Sequence, residues 1–413
     1  MPSTLKCGID FGTSNTTMAV MDGDGQSSLV PLEDGKLTIP TAIFFTEKNK
    51  DILFGRAAVK AYLDGQEGRF MRSLKRVLGT SLMDGTVLVN GTRTSFDIII
   101  GRFLTHIKTT AEKQLGSELT SVTLGRPVHF QDSDPSADER AESQLRAIAQ
   151  SIGFKDIAFQ YEPIAGALAH EKNVAGEKLA LVIDIGGGTS DFSIIRLNKD
   201  YTRDRNRAQD ILVNTGVRIG GNDCDKAINL DAAMPLLGMG TQFGDKNLDM
   251  PLLMYYELSE WSKINWCYTP QNLNAVRHLI REAHEPEKIM RLEMILEDQL
   301  GHKILNVSEE MKITLSEAPN ATGDFTFIDH HCSVDMTQDE MGILMAKTLA
   351  PVKTQMLETL KLANLALQDI SLIVLTGGST GLPIFQQWVA EYFPHAEILQ
   401  DDKLGSVGLG LVL

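Results

Sequence analysis

Short apolar runs alternate along the chain with glycine turns and with longer segments whose apolar residues recur at helical spacing. Residues 5–10, 16–21 and 27–31 read as three strands, with a hairpin turn over 22–26. Residues 38–45 read as a further strand, with Pro40 at its start or at an edge. The spacing over 55–78 predicts a helix, and 82–89 reads as a weak strand closed by the turn pair Asn90 and Gly91. A helix follows over 96–115, stopped at Gly116, then a strand over 120–127 that runs into Pro127. A capped helix ends at Ser151, a short strand covers 157–159, and Glu162 and Pro163 open a small-residue helix to His170.

After a polar turn over 175–178 comes the most sharply patterned stretch, Leu181–Ile195: apolar run, glycine turn, apolar run. Residues 199–207 are strongly charged and read as an exposed hairpin tip, and 209–215 returns as a strand. A glycine turn then caps a helix starting at Asp223. From 252 to 318 the pattern is helical with interruptions. Trp261 and Trp266 lie on an amphipathic segment there and read as helix-packing residues rather than a ligand box. A strand is expected over 324–328. Thr337 and Glu340 resemble a capping box before a helix that Pro351 kinks or breaks on its way to Ala363. Residues 370–376 form a buried strand, 377–381 a turn, a helix begins near Leu382, and 404–413 reads as a short closing helix.

Composition narrows the function classes. The 413 residues carry a net charge of −15, which argues against a nucleic-acid or anionic-membrane footprint. No apolar run reaches the 18 residues or so of a membrane span. The start of the chain leads straight into the first strand, leaving no room for a signal peptide. The four cysteines contain no CxxC pair and read as reduced thiols, so a cytoplasmic location is expected. His330, His331 and Cys332 form a compact trio with no partner pair at zinc spacing, and a structural or surface role is the reading.

The chemistry concentrates in two similar hairpins. In the first, an apolar run ends in Asp10, and Gly12, Thr13 and Ser14 precede a second run. In the other, Asp184 is followed by Gly186, Gly187, Gly188, Thr189 and, one residue on, Asp191. Glycines bring backbone N–H groups close to a ligand, and clustered N–H groups bind anions, phosphate above all. Flanking carboxylates repel phosphate unless a cation lies between, which points to hydrated Mg²⁺. The bland alternative is a glycine hairpin with solvated aspartates. That the design occurs twice suggests a duplicated domain whose halves face one nucleotide. Arg69, Arg72, Lys75 and Arg76 read first as a solvated helix face, and second as a source of one phosphate-facing cation.

On these motifs the chain resembles the nucleotide-binding domain of the DnaK-type seventy-kilodalton heat-shock chaperones, in the YegD-like branch, within the actin-like ATPase superfamily. The resemblance spans 5–410. It implies an α/β, actin-like (ribonuclease H-like, duplicated) fold with two lobes around a nucleotide cleft. Lobe I would cover 1–178, completed by 379–413, and lobe II 179–378 with a helical subdomain at about 222–320. It implies ATP or ADP with Mg²⁺, and allows K⁺, and a protein partner or client of unknown identity. Asp10, Gly12, Thr13 and Ser14 match the first phosphate loop. Asp184, Gly186, Gly187, Gly188, Thr189 and Asp191 match the second. Asp10 and Asp184 would hold the metal through water. Lys75 matches the lysine that positions the attacking water, and Glu162 the acidic residue near the metal. Gly220 and Gly221 match a glycine pair beside the phosphates. Glu309, Lys312 and Ser316 fit the helix that meets the nucleoside. Gly377, Gly378 and Ser379 match the adenosine turn, with Asp402 its late acidic partner. Pro127 and Arg140 resemble the proline and arginine of an interlobe switch.

The departures fall at the base. Ile313 and Gly381 stand where the chaperones carry arginines that pack on adenine, and Asn15 replaces an aromatic residue. Each lost guanidinium face removes roughly 0.5–2 kcal/mol of stacking. The chain stops at Leu413, so a peptide-binding domain is expected to be lacking. The leading expectation is Mg-dependent ATP binding and hydrolysis. Its rivals are a kinase acting on a sugar or small alcohol, a nucleotide-sensing module without turnover, and, more weakly, a filament former.

Overall fold

The computed structural model describes residues 5–23, 25–131, 134–171, 174–200, 207–400 and 405–413. Its contacts divide the chain into two compact units. One takes in 1–220, 351–380 and 385–413, and the other 221–350 and 381–384.

The first unit contains two sheets with one strand order. In the first sheet, Lys6–Phe11 pairs antiparallel with Asn15–Met21, which pairs with Ser27–Leu29. On the other side of Lys6–Phe11, Ser121–Arg126 and then Asp156–Tyr161 join in parallel. In the second sheet, Lys178–Ile185 pairs antiparallel with Ser190–Leu197, which pairs with Ile211–Val217. Leu372–Thr376 and then Glu397–Gln400 again join in parallel on the far side. Numbered by position in the chain, the second sheet reads 3-2-1-4-5, and the first reads the same once the short Thr38–Pro40 strand, which also pairs with Asn15–Met21, is set aside. This is the duplication that the paired hairpins implied.

Burial follows from the strand patterns. Ala180, Leu181, Val182 and Ile183 are buried without interruption, as strands covered on both faces are. The first sheet is covered by the Phe96–Leu115 and Pro135–Ser151 helices, which bring Ile99, Phe103, Leu104 and Leu145 into its core. Asp134 caps the second of these helices by accepting from the N–H groups of Ser136 and Ala137. The short Glu162–His170 helix sets Ile164 and Ala167 against the second sheet.

In the second unit, helices Leu253–Leu258, Ile264–Cys267, Pro270–Glu282, Pro286–Glu297 and Gly301–Glu317 match the interrupted helical pattern. Trp261 is buried, whereas Trp266 is 40% exposed. The capping box forms at Thr337 and Glu340, and the helix after it ends at Thr348, before Pro351.

Three expectations are corrected. The helix expected over 55–78 stops at Leu63. Gly68–Arg72 is a strand paired with Ala42–Thr46, and Leu74–Val77 is a single 3-10 turn, so tertiary pairing outweighed helical spacing. The strand expected over 324–328 instead ends at Asp324, whose carboxylate accepts from the N–H and hydroxyl of Thr326 and turns the chain. The helix expected from Asp223 begins at Gly221. The tip over 199–207 lies largely outside the described residues.

All four cysteines are free thiols and all are buried. Burial pushes the thiols of Cys7, Cys224 and Cys267 up to about 12 and raises that of Cys332 as well.

Candidate functional site

Both glycine hairpins join the first and second strands of their sheets, at equivalent positions in the shared strand order. The turn after Asp10 is held by Thr41, whose hydroxyl donates to the Gly12 carbonyl at 2.7 Å and whose N–H donates to the Ser14 carbonyl at 2.8 Å. The turn after Asp184 is closed by the Gly186 N–H donating to the Thr189 carbonyl at 3.0 Å. The two turns approach each other closely. A Cβ added at Gly188 would lie 2.9 Å from the Thr13 hydroxyl. One added at Gly220 would lie 2.6 Å from the Gly186 carbonyl and 2.8 Å from the Gly188 nitrogen. Only a residue without a side chain permits that approach. The Ser379 hydroxyl donates to the Gly186 carbonyl at 3.3 Å, bringing the third motif onto the same turn.

Between the hairpins lies a cluster of charge. Lys75 and Glu162, 87 positions apart in sequence, pair at 2.5 Å, and each is only 6% exposed. Lys75 sits on the Leu74–Val77 turn, which Ser73 enters with φ +59°, a left-handed conformation costing about 1 kcal/mol or more. Glu162 is the first residue of its helix, where unpaired N–H groups favour a carboxylate.

Asp184 and Asp191 are direct cross-strand partners in the second hairpin. Burial raises the Asp184 carboxyl well above the usual range, and Glu162 and Asp191 add to the effect. Asp10 is raised likewise, by burial and then by Glu162. Asp191 is pushed up to about 7 by burial and Glu162, against the opposing hydrogen bond from the Val128 N–H at 2.8 Å. Burial lowers the Lys75 ammonium, but Glu162 and Asp10 outweigh it and hold it above its usual value. Four carboxylates thus share one lysine in a buried space.

This excess of hard oxygen donors fits a divalent cation. The Asp191 Oδ2 atom is buried with no hydrogen-bond partner. Among the described residues no three His, Cys, Asp or Glu side chains converge tightly enough to ligate a metal directly. A Mg²⁺ ion that keeps most of its water and takes one or two carboxylates plus phosphate suits such a site. Asp10 and Asp184 would hold it.

A small pocket opens beside this cluster, lined by Thr13, Lys75, Gly188, Thr189 and two arginines, Arg76 and Arg218. Pro127 and Phe130 complete its lining. Arg218 was missed by motif reading because it belongs to no motif. Its signal was only that it stands two residues before Gly220.

The nucleoside-contacting residues expected on the Gly301–Glu317 helix are in the second unit. There Lys312 reaches the buried Asp225 carboxylate at 2.6 Å and the Gly221 carbonyl at 3.3 Å. The other Asp225 oxygen accepts from the Trp261 indole at 3.2 Å. Burial raises the Asp225 carboxyl despite Lys312. The Ser316 hydroxyl donates to the Lys312 carbonyl of its own helix at 2.8 Å. Glu309 acts electrostatically on both Asp225 and Lys312. Ile313 is 57% exposed. Asp402 lies outside the described residues. Arg140 bonds the Gly79 carbonyl at 3.4 Å and Asp134 at 3.5 Å, while Pro127 adjoins the Val128 N–H that holds Asp191.

Comparison with known proteins gives the family. The family model described as Hsp70 protein matches residues 6–101, 86–232 and 272–407. Among curated proteins, the chaperone protein DnaK of Thermotoga petrophila is 28% identical over 409 residues, covering 96% of this chain and 57% of the relative. Those of Thermotoga maritima and Thermotoga neapolitana match with the same identity and the same shares. The chain therefore spans a little over half the length of these relatives. Among the described residues no helix is long and apolar enough to cross a membrane.

Proposed function

The chain belongs to the Hsp70 family and has its actin-like ATPase fold, and from that premise we propose that it binds ATP and ADP with Mg²⁺ and hydrolyses ATP at the cluster around Lys75. The observation that carries this reading is the buried group of Asp10, Glu162, Asp184 and Asp191 around one lysine, set between two glycine hairpins. A divalent cation, when bound, would offset the charge of the phosphates against these carboxylates.

The protein's own groups supply the rest. Backbone N–H groups of both turns orient the phosphates. Thr13 and Thr189 offer hydroxyls to the terminal phosphoryl oxygens. The Lys75 ammonium stabilises charge that spreads over those oxygens as the bond to the leaving group lengthens. Glu162 fixes the ammonium through their 2.5 Å contact, and Lys75 so held positions a water for in-line attack. Nucleoside contacts by Glu309, Lys312 and Ser316, and an adenosine turn at Gly377, Gly378 and Ser379, are part of this proposal. K⁺ as a second cation, the lobe boundary near residue 178, a YegD-like placement, a cytoplasmic location and a protein client all belong to this proposal.

The exposed Ile313 favours one second reading, a nucleotide-sensing module with negligible turnover, because no guanidinium is offered to the base there. Calorimetric titration with Mg-ADP and phosphate release from Mg-ATP separate the readings. Binding with release supports the ATPase, and binding without release supports the sensor. Failure to bind either nucleotide defeats both. ADP formation that requires an added alcohol, with the phosphoryl group carried to that alcohol and no free phosphate released, would identify a kinase.

A further inference from the structure

The Leu74–Val77 turn carries Lys75 but is one turn long, so its last carbonyls have no partner within it. The Lys75 and Val77 carbonyls accept from the N–H groups of Leu78 and Thr80 just beyond it, and one guanidinium from the second sheet's side serves the Arg76 carbonyl between them. Arg218, just past the Ile211–Val217 strand, donates through NH2 to the Arg76 carbonyl at 2.6 Å. Through NH1 it donates to the Gln131 side-chain oxygen at 2.5 Å. Gln131 in turn donates through Nε2 to the Leu78 carbonyl at 3.1 Å. The lysine turn, the loop after Pro127 and the strand leading to Gly220 are thereby joined through one fork. The same loop is tied to the second hairpin a second time, by the Val128 N–H to Asp191.

We propose that Arg218 is a positioning residue for Lys75: it holds the lysine turn at a set distance from the second phosphate hairpin. The inference rests on the reading of Lys75 as the phosphate-facing cation. Arg218 lies in the same pocket as Lys75, Thr13 and Thr189, so a small displacement of the turn moves the ammonium relative to both hydroxyls. A planar fork can serve acceptors on two different elements at once. A lysine at this position would reach one of them and leave the other.

The test uses the full chain with Arg218→Ala, Arg218→Lys, Lys75→Ala and the Lys75→Ala/Arg218→Ala pair. Amide hydrogen exchange without nucleotide is the first readout. Exchange over 73–79 should speed up in both Arg218 variants, with the two sheets unchanged. Unaltered exchange there overturns the proposal, whatever the activity. The second readout is single-turnover ATP hydrolysis beside ADP affinity. A loss of about 10-fold in rate with affinity held within about twofold is expected, and Arg218→Lys should not restore it. In the Lys75→Ala background, Arg218→Ala should cost nothing further. A second loss of similar size would show that Arg218 acts on phosphate directly and overturn the positioning role. If the unmodified chain hydrolyses no ATP, the functional reading fails while the exchange result still decides the part played by Arg218. Should the alanine variant not fold, the lysine variant carries both readouts.

Discussion

Asp184 and Asp191 face each other directly across an antiparallel hairpin, and both are buried. Like charges in that relationship are destabilising in a sheet, and more so away from water. A hairpin under selection only for folding would place neither there. Burial raises both carboxyls and Glu162 raises them further, and this excess of negative charge suits a cation.

A pH dependence follows. The Asp191 carboxyl is pushed up from 3.8 to about 7. A raised folded value gives stability that is full below the unfolded value and is lost as pH rises through the folded one. Ligand-free protein should therefore lose stability between about pH 4 and pH 7 through this group, with Asp10 and Asp184 acting in the same direction. Asp191→Asn keeps an acceptor for Val128, flattens that slope, and should be more stable than the unmodified chain at pH 8 by a few kcal/mol at most. Urea denaturation across this range checks it, and an identical slope in the variant counts against it.

Lys75→Met leaves Glu162 buried without its partner. Breaking a buried pair from one side costs about 3–5 kcal/mol, moderated here if Glu162 takes up a proton. Adding Glu162→Gln should recover a substantial part of that stability and none of the phosphate release. Denaturation midpoints and steady-state release, measured on both variants, separate the structural from the chemical contribution.

Gly220→Ala pushes a methyl to 2.6 Å from the Gly186 carbonyl. The backbone of the second turn must move, at a cost of about 1–3 kcal/mol. Weaker Mg-ADP binding is expected, out of proportion to the stability lost. Calorimetry beside a thermal melt gives the comparison, and unchanged affinity would mean that the turn does not contact phosphate.

Ile313→Arg restores a guanidinium at an exposed position and should leave stability unchanged. A gain of about 0.5–2 kcal/mol in ADP affinity is expected if the base lies against this helix. An equal affinity for ADP in the variant and the parent would place the base elsewhere.

The two glycine hairpins were legible in the sequence because each is built from local residues in a fixed order; that they hold phosphate is the proposal. The pairing of Lys75 with Glu162 could be expected only through resemblance, since 87 positions separate them. The strand at Gly68–Arg72 was hidden because its partner, Ala42–Thr46, is distant in sequence and its own spacing mimics a helix. Arg218 and Asp225 were illegible for the same reason: each acts through acceptors or donors supplied by other segments. What a residue reaches across the fold leaves no periodicity.

The buried thiols have a practical consequence. Every native cysteine is buried and its thiol raised, which disfavours reaction with thiol reagents in the folded state. A single cysteine introduced on an exposed position of each unit would be labelled in preference to these, with no native residue replaced. Donor and acceptor dyes so attached would test, molecule by molecule, whether added nucleotide alters the distance between the labelled positions.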